Sequence, residues 1–276
     1  MRRYNWMIFI GVNLIMAVLV GYGYSRIAEA VLTSATITAS PMATATSKPT
    51  PTMTPKTYGT PSVKTKHWVS WAVFDGKVIV GSKNWAQTNY LMSMIKPWIA
   101  ADYLNHHQRP TSATLSRLAS MILDSSNGPA SEFFGGQPSW DRLVKTCGLT
   151  DLKARDWSWS TTGMSARDAA RYGFCIYSGK ATTPEWTAWI VDKMRHVRGQ
   201  GDFGPRALFK DRTEVATKNG WENWQGYWYI NCLAVKGDWS IAILQRWPYS
   251  GESYEEAIRQ AEPVCNSIAS QVLRLS

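Results

Sequence analysis

The chain has 276 residues, a formal net charge of +10 and 45% hydrophobic residues, enough for one good-sized domain with a tail. The charge is uneven: residues 1–64 hold six Lys/Arg and one acid, so the remainder is only mildly basic. No Lys/Arg-rich block interleaved with aromatics occurs, which argues against a nucleic-acid partner, while a mildly basic face suits anionic ligands or an anionic envelope.

Arg2 and Arg3 precede an apolar run from Trp6 to about Tyr24. Its length borders on a membrane span, and the arginines predict a cytoplasmic N-terminus. A signal peptide and a signal anchor both fit. Ala28-Glu29-Ala30 is a passable cleavage site, but Arg26 and Glu29 intervene and the run is long, which favours an uncleaved anchor. No cysteine follows the run, so a bacterial lipoprotein anchor is excluded. From Val31 to Lys64, 19 of 34 residues are Ser, Thr or Pro. Such a segment buries too little apolar surface to fold and reads as a spacer. The expected organisation is a cytoplasmic end (1–5), a transmembrane helix (6–24), a spacer (25–64) and an extracytoplasmic domain (65–276). Cys147, Cys175, Cys232 and Cys265 would then lie in an oxidising compartment. Their pairing is open, since four cysteines allow three connectivities; buried free thiols are the alternative. Their spacing matches no zinc pattern, and no metal or cofactor is expected.

The domain opens with strand-like runs, His67 to Phe74 and Lys77 to Val80, around Asp75-Gly76, a two-residue hairpin signal. Helical stretches follow. They start near Ser93, near Thr114, near Ser139 (ending at Gly148), at Ser165 with Asp168 completing a capping box, and at Thr183-Pro184-Glu185 (stopping at Gly199). Strands return at Glu214–Lys218, Gly226–Val235 and Trp239–Trp247, the last two joined at Gly237-Asp238. A final helix runs from about Ser253 to Leu275. This order predicts an α+β fold in which the N-terminal hairpin and the C-terminal strands share one antiparallel sheet, flanked by helices, with a small all-helical lobe.

Three stretches could carry chemistry. Ser93 and Lys96 lie three apart in a mostly apolar run and share one face of a helix. A lysine buried there loses solvation, its pKa falls, and its neutral amine can activate the serine. Pro97 places both at the helix start, where free N–H groups and the dipole favour developing negative charge. Alone, a Ser-x-x-Lys pair arises by chance about once in a chain this long. Asp124-Ser125-Ser126-Asn127-Gly128-Pro129 breaks the helical pattern, as ordinary capping residues would. Lys218-Asn219-Gly220 ends a strand, as an ordinary turn would.

Together, Ser93-x-x-Lys96, Ser125-x-Asn127 and Lys218-x-Gly220 resemble, in order and setting, the motifs of the penicillin-binding protein and serine β-lactamase superfamily. The resemblance covers about residues 67–275. It implies that Ser93 attacks a carbonyl, Lys96 is the base and Ser125 relays a proton to the leaving nitrogen. It further implies that Asn127 binds the substrate amide, Lys218 lies near the substrate carboxylate, and Gly220 lets the strand approach the substrate. The amides of Ser93 and Trp221 would form the oxyanion hole. The expected partners are a peptidoglycan stem peptide or a β-lactam, and the membrane through the N-terminal helix.

The chain departs from that pattern. Ser126 stands where the family usually has Asp. Asn219 replaces a Thr or Ser whose hydroxyl commonly meets the substrate carboxylate, so Asn219 is expected to fit such ligands poorly. Ser93 and Ser125 are 32 positions apart, so the helical lobe is expected to be trimmed. No Glu-x-x-x-Asn, the motif that supplies the deacylating glutamate of class A β-lactamases, lies between Asn127 and Lys218. Two alternatives follow: a β-lactamase proper, or a binding or scaffolding protein with weak turnover. Gly199-x-Gly201-x-x-Gly204 matches the dinucleotide fingerprint but follows a helix and precedes none, the wrong setting. His106, His107 and His196 read as helix-end residues. Trp98, Trp157, Trp159 and Trp221 lie near the motifs and are candidates for lining a groove.

Overall fold

The computed structural model describes residues 57–275. The apolar run at Trp6–Tyr24 and most of the spacer lie outside them. Among the described residues, no helix is long and apolar enough to cross a membrane. The packed chain begins before residue 65. Gly59 donates its amide to the Val272 carbonyl (3.0 Å), and Tyr58 and Val63 pack on the core beside the last helix.

Strands β1 (Trp68–Phe74) and β2 (Ile79–Gly81) form the first hairpin. Its loop is Asp75–Val78 rather than two residues. Asp75 Oδ1 accepts from the Lys77 and Val78 amides at 2.9 and 2.7 Å, a side-chain-closed turn that needs the extra length. β3 (Thr88–Tyr90) pairs with β4 (Gly163–Ser165) away from the main sheet. The helices are α1 (Lys96–His106), α2 (Ser112–Leu123), α3 (Asn127–Phe133), α4 (Gly136–Cys147), α5 (Ala166–Tyr177), α6 (Pro184–Arg195) and α7 (Tyr254–Leu273). Ser165 caps α5 by accepting from the Asp168 amide. The expected box is only half made, because the Asp168 carboxylate is taken by the amides of Thr150 and Asp151. α7 has the full box, between Ser253 and Glu256.

The remaining strands are β5 (Ala216–Thr217), β6 (Gly220–Trp224), β7 (Tyr227–Lys236) and β8 (Trp239–Pro248). The main sheet runs β2-β1-β8-β7-β5, all antiparallel, with β6 also on β7. This is the expected α+β order, with hairpin and C-terminal strands in one sheet. Both its faces are covered, as the alternation along β7 and β8 shows. Leu233, Val235, Ala242 and Leu244 join the core under α5; Cys232, Ala234, Ile241 and Ile243 join the core under α7. Gly173 lets α5 approach β8 closely, since a Cβ there would lie 2.4 Å from Ser240 Oγ. Two disulfides complete the frame. Cys147–Cys175 joins the end of α4 to α5, and Cys232–Cys265 joins β7 to α7. Bridging positions 28 and 33 apart stabilises each loop by about 3–4 kcal/mol in the chain-entropy account.

Candidate active site

Ser93 sits on a 3-10 turn, Met92–Ile95, that runs directly into α1, with Pro97 in the first helical turn where its missing N–H costs nothing. The chain enters this turn under tight control. Leu91 and Met92 donate their amides to the Thr162 and Ser160 carbonyls (3.0 and 2.8 Å). Asn231 Nδ2 donates to the Tyr90 carbonyl at 2.7 Å, and the buried Tyr172 hydroxyl donates to the Met94 carbonyl at 3.0 Å. These bonds hold Met92 at φ +51°, a left-handed conformation that costs a residue with a Cβ roughly 1–2 kcal/mol. Ser93 is thereby presented at the floor of a cleft of about 520 Å³. Its hydroxyl has no hydrogen-bond partner among the described residues.

Lys96, one turn on, is fully buried. Its amino nitrogen lies within hydrogen-bond distance of the Ser125 carbonyl (2.5 Å), Asn127 Oδ1 (2.7 Å) and Ser125 Oγ (3.3 Å), and stands 4.9 Å from the centre of the Trp159 ring. Burial first, and the nearby Lys218 second, pull its pKa down to about 6. Ser125 lies between α2 and α3, also in the left-handed region at φ +60°. That turn aims its carbonyl and its hydroxyl at the same amine. The preceding Asp124 is gripped by Nε and Nη2 of Arg198 (2.5 and 3.0 Å). This ties the Ser125 loop to the segment that carries Gln200 on the cleft wall. Lys218, also fully buried, donates to Ser125 Oγ at 2.9 Å from the opposite side. Burial pulls its pKa to about 7, against a smaller upward pull from Asp124. Two amines and two hydroxyls thus gather at the cleft floor, but Lys96 bonds Ser125 and Asn127 and makes no hydrogen bond to the Ser93 hydroxyl expected beside it.

The third motif departs from expectation. Asn219 does not face the cleft. It is fully buried, donates through Nδ2 to the Gly201 and Phe203 carbonyls (3.0 and 2.7 Å), and accepts the Leu233 amide on Oδ1 at 3.1 Å. The side chain therefore replaces one rung of the β-ladder where β5 ends and β6 begins. This corrects its assignment to substrate binding. Gly220 serves a different purpose from the one expected. A Cβ there would lie 2.2 Å from the Leu91 carbonyl oxygen and 2.9–3.0 Å from the Met94 and Ser93 amide nitrogens. Its missing side chain lets β6 press against the turn that carries Ser93, not against a ligand. The Gly199–Gly204 stretch holds no nucleotide-binding helix; its carbonyls receive Asn219, and Gly201 abuts the Trp221 ring.

Asn127, Trp159 and Trp221 line the cleft as expected. Trp98 does not: it is buried in the helical core, donating to Ser139 Oγ at 3.0 Å. Trp157 is 68% exposed and lies off the cleft. His106, His107 and His196 each turn Nδ1 toward a carbonyl four residues back, at 2.7–2.9 Å, as helix-end residues do. Sequence reasoning missed the other walls: Ser160 and Thr161 from the loop before β4, and Glu222, Asn223, Trp224 and Tyr254 from β6 and α7. Glu222, Asn223 and Trp224 follow from recognising β6, which the Lys218-Asn219-Gly220 turn reading hides.

No family model and no curated protein matches the chain. Solved structures do. A variant of the TLA-1 extended-spectrum β-lactamase superposes with a TM-score of 0.60 at 13% identity, covering 75% of this chain and 94% of that one. The TLA-3 extended-spectrum β-lactamase gives 0.58 at 14% identity, covering 74% and 93%. An ancestral class A β-lactamase gives 0.57 at 12% identity, covering 75% and 94%. The likeness is one of fold: the chain has the fold of the class A serine β-lactamases.

Proposed function

We infer that this chain, folded as a serine β-lactamase, is a serine acyl-enzyme acting on peptidoglycan-type peptides or related amides, and that β-lactams acylate it. The observation that carries this reading is the convergence of the buried Lys96 and Lys218 amines on Ser125 Oγ, beside a Ser93 hydroxyl open to the cleft. With its pKa near 6, the Lys96 amine is largely neutral at pH 7 and takes the Ser93 proton as Oγ attacks the carbonyl. The developing oxyanion is received by the Ser93 and Trp221 amides. Gly220 brings β6 close enough to the Ser93 turn for this pairing. Ser125 then passes its proton to the leaving nitrogen and takes back from Lys96 the proton that came from Ser93, while Lys218 supports the relay from behind. Among the described residues, β6 pairs with β7 along one edge only, and Trp221–Trp224 line the cleft. Its other edge can receive an extended peptide as an added strand.

The acyl-enzyme should be long-lived. Among the described residues, Glu222 is the sole carboxylate lining the cleft, and it is bonded to Tyr254. This favours transfer to an amine or slow hydrolysis over β-lactamase turnover, the reading that the structural neighbours favour. Intact-mass analysis after incubation with a reactive penicillin tests it: a persistent adduct of the drug's full mass is expected, and none on Ser93→Ala. Rapid turnover of a chromogenic cephalosporin would establish the β-lactamase alternative. No adduct and no turnover would leave a binding or scaffolding protein. We place the domain outside the cytoplasm on the uncleaved anchor read from Trp6–Tyr24, so protease added to intact spheroplasts should release it.

A further inference from the structure

The cleft has an unusual balance of charge for a site reached by two lysines. Lys96 and Lys218 are sealed beneath its floor and fully buried. Among the described residues, no Lys or Arg lines the cleft itself, and Arg198 at its margin is spent on Asp124. The charged side chain on the walls is Glu222 of β6. Its Oε1 accepts from the Tyr254 hydroxyl and from the Asn223 amide. Its Oε2 has no hydrogen-bond partner, and no cation pairs with it among the described residues. The carboxylate raises the Tyr254 hydroxyl to about 12, so that hydroxyl remains a donor throughout the physiological range. Trp224 and Tyr254, 37% and 39% exposed, flank the same wall.

A carboxylate fixed by two donors, with one oxygen open and aromatic faces beside it, repels anions and attracts an alkylammonium group through Coulomb and cation–π terms. Its position relative to the reacting centre is set by the strand. Gly220 abuts the Ser93 amide, and two residues along a strand span about 7 Å. Resting on the acyl-enzyme reading above, we propose that Glu222, Trp224 and Tyr254 form a subsite for a primary ammonium carried on the acyl portion of the substrate, about 7 Å from the carbonyl that Ser93 attacks. The substrate class is then an amine-bearing peptide, with the amine at a free amino end or on a diamino-acid side chain.

The test uses two penicillins that differ by one amine: the phenylacetyl compound and its α-aminophenylacetyl counterpart. The readout is the ratio of their second-order acylation rates in the full chain. The amino compound should react roughly fivefold faster, the scale of a partly exposed ion pair with an aromatic neighbour. Glu222→Gln should bring that ratio to about one, and raised salt should lower it. A ratio at or below one in the unmodified protein, or a preference that survives Glu222→Gln, overturns the proposal. Non-covalent binding of the same pair to Ser93→Ala, followed by tryptophan fluorescence, separates the two claims. If the amino compound binds more tightly and Glu222→Gln erases the difference, the subsite stands even where acylation fails. Equal binding sinks the subsite while leaving the acyl-enzyme reading untouched.

Discussion

The pH dependence of acylation is the most direct probe of the floor of the cleft. Burial, and then the charge of Lys218, pull Lys96 from an ordinary 10.5 to about 6. With that value, about nine-tenths of the amine is neutral at pH 7 and about one-tenth at pH 5. If Ser93 loses its proton to that amine, the second-order rate falls with unit slope below pH 6, to about a tenth of its plateau at pH 5. The structure also says what should move this limb. Lys218→Met removes the neighbouring charge that helps to lower Lys96, so the Lys96 pKa rises and the acid limb shifts to higher pH. A residue that merely supported the fold of the site would lower the rate at every pH and leave the limb in place. The assay is labelling by a fluorescent penicillin from pH 4.5 to 9, in the unmodified protein and in Lys218→Met. A rate that stays flat to pH 5, or a limb that does not move or moves down in the variant, refutes the assignment of Lys96 as base.

Stability should also depend on the two lysines. Both have folded pKa values below their unfolded ones, so the folded state holds fewer protons from about pH 7 to pH 10, and unfolding takes protons up. The cost of burying the amines is absent above the unfolded pKa and is fully felt below the folded one. Stability therefore rises with pH through that window, by up to about 1.4 kcal/mol per unit for each lysine; urea melts at pH 7 and 9 measure it, and a slope unchanged in Lys96→Met and Lys218→Met would contradict it. Gly220→Ala forces a Cβ to within 2.2 Å of the Leu91 carbonyl, with backbone on both sides. A shift of about 1 Å follows, costing about 1–3 kcal/mol of stability and about a hundredfold in acylation; an unaltered Tm and labelling rate would rule out the close approach. Asn219→Thr removes two donated and two accepted bonds in a fully buried place, at about 1–3 kcal/mol for each group left unpaired. Its Tm should fall, with no selective gain for a carboxylate-bearing penicillin over its neutral ester; such a gain would show that residue 219 reaches the cleft.

The legible part of the chain was what repeats or caps. Ser165, Thr183 and Ser253 each accept the amide three residues on, at the helix starts their residue types predict. The alternation in β7 and β8 marks two buried faces. Ser93, Lys96, Ser125 and Lys218 were legible because three short motifs in a fixed order constrain one another where any one alone does not. The illegible part was side-chain direction. Little local to Asn219 says that it turns inward: the Thr217 hydroxyl donates to its Oδ1, but its other partners, Gly201, Phe203 and Leu233, come from segments far along the chain. Asn-Gly also reads as a turn, which hid β6 and with it Glu222 and Trp224. The disulfide pairing was likewise open until α4 met α5 and β7 met α7.

The departures from the superfamily pattern bear on the site less than the motifs alone imply. What the third motif must deliver is a lysine behind Ser125 and a strand against the Ser93 turn. Asn219 supports the first by supplying the ladder rung that is missing between β5 and β6, so Lys218 can project to Ser125 Oγ. Gly220 supports the second by removing the side chain that would collide with the turn. The second motif needs a hydroxyl and an amide near Lys96, and Ser125 and Asn127 provide both. Ser126 makes no side-chain cap on α3. The loop is held instead by Asp124 on Arg198, an exposed pair that solvent screens. The bonds that fix Ser125 itself come from the two buried lysines, so the residues proposed for the chemistry also hold its geometry. Substitution at Lys96 or Lys218 should therefore be read first as a change in the position of Ser125, and only then as the loss of a proton carrier.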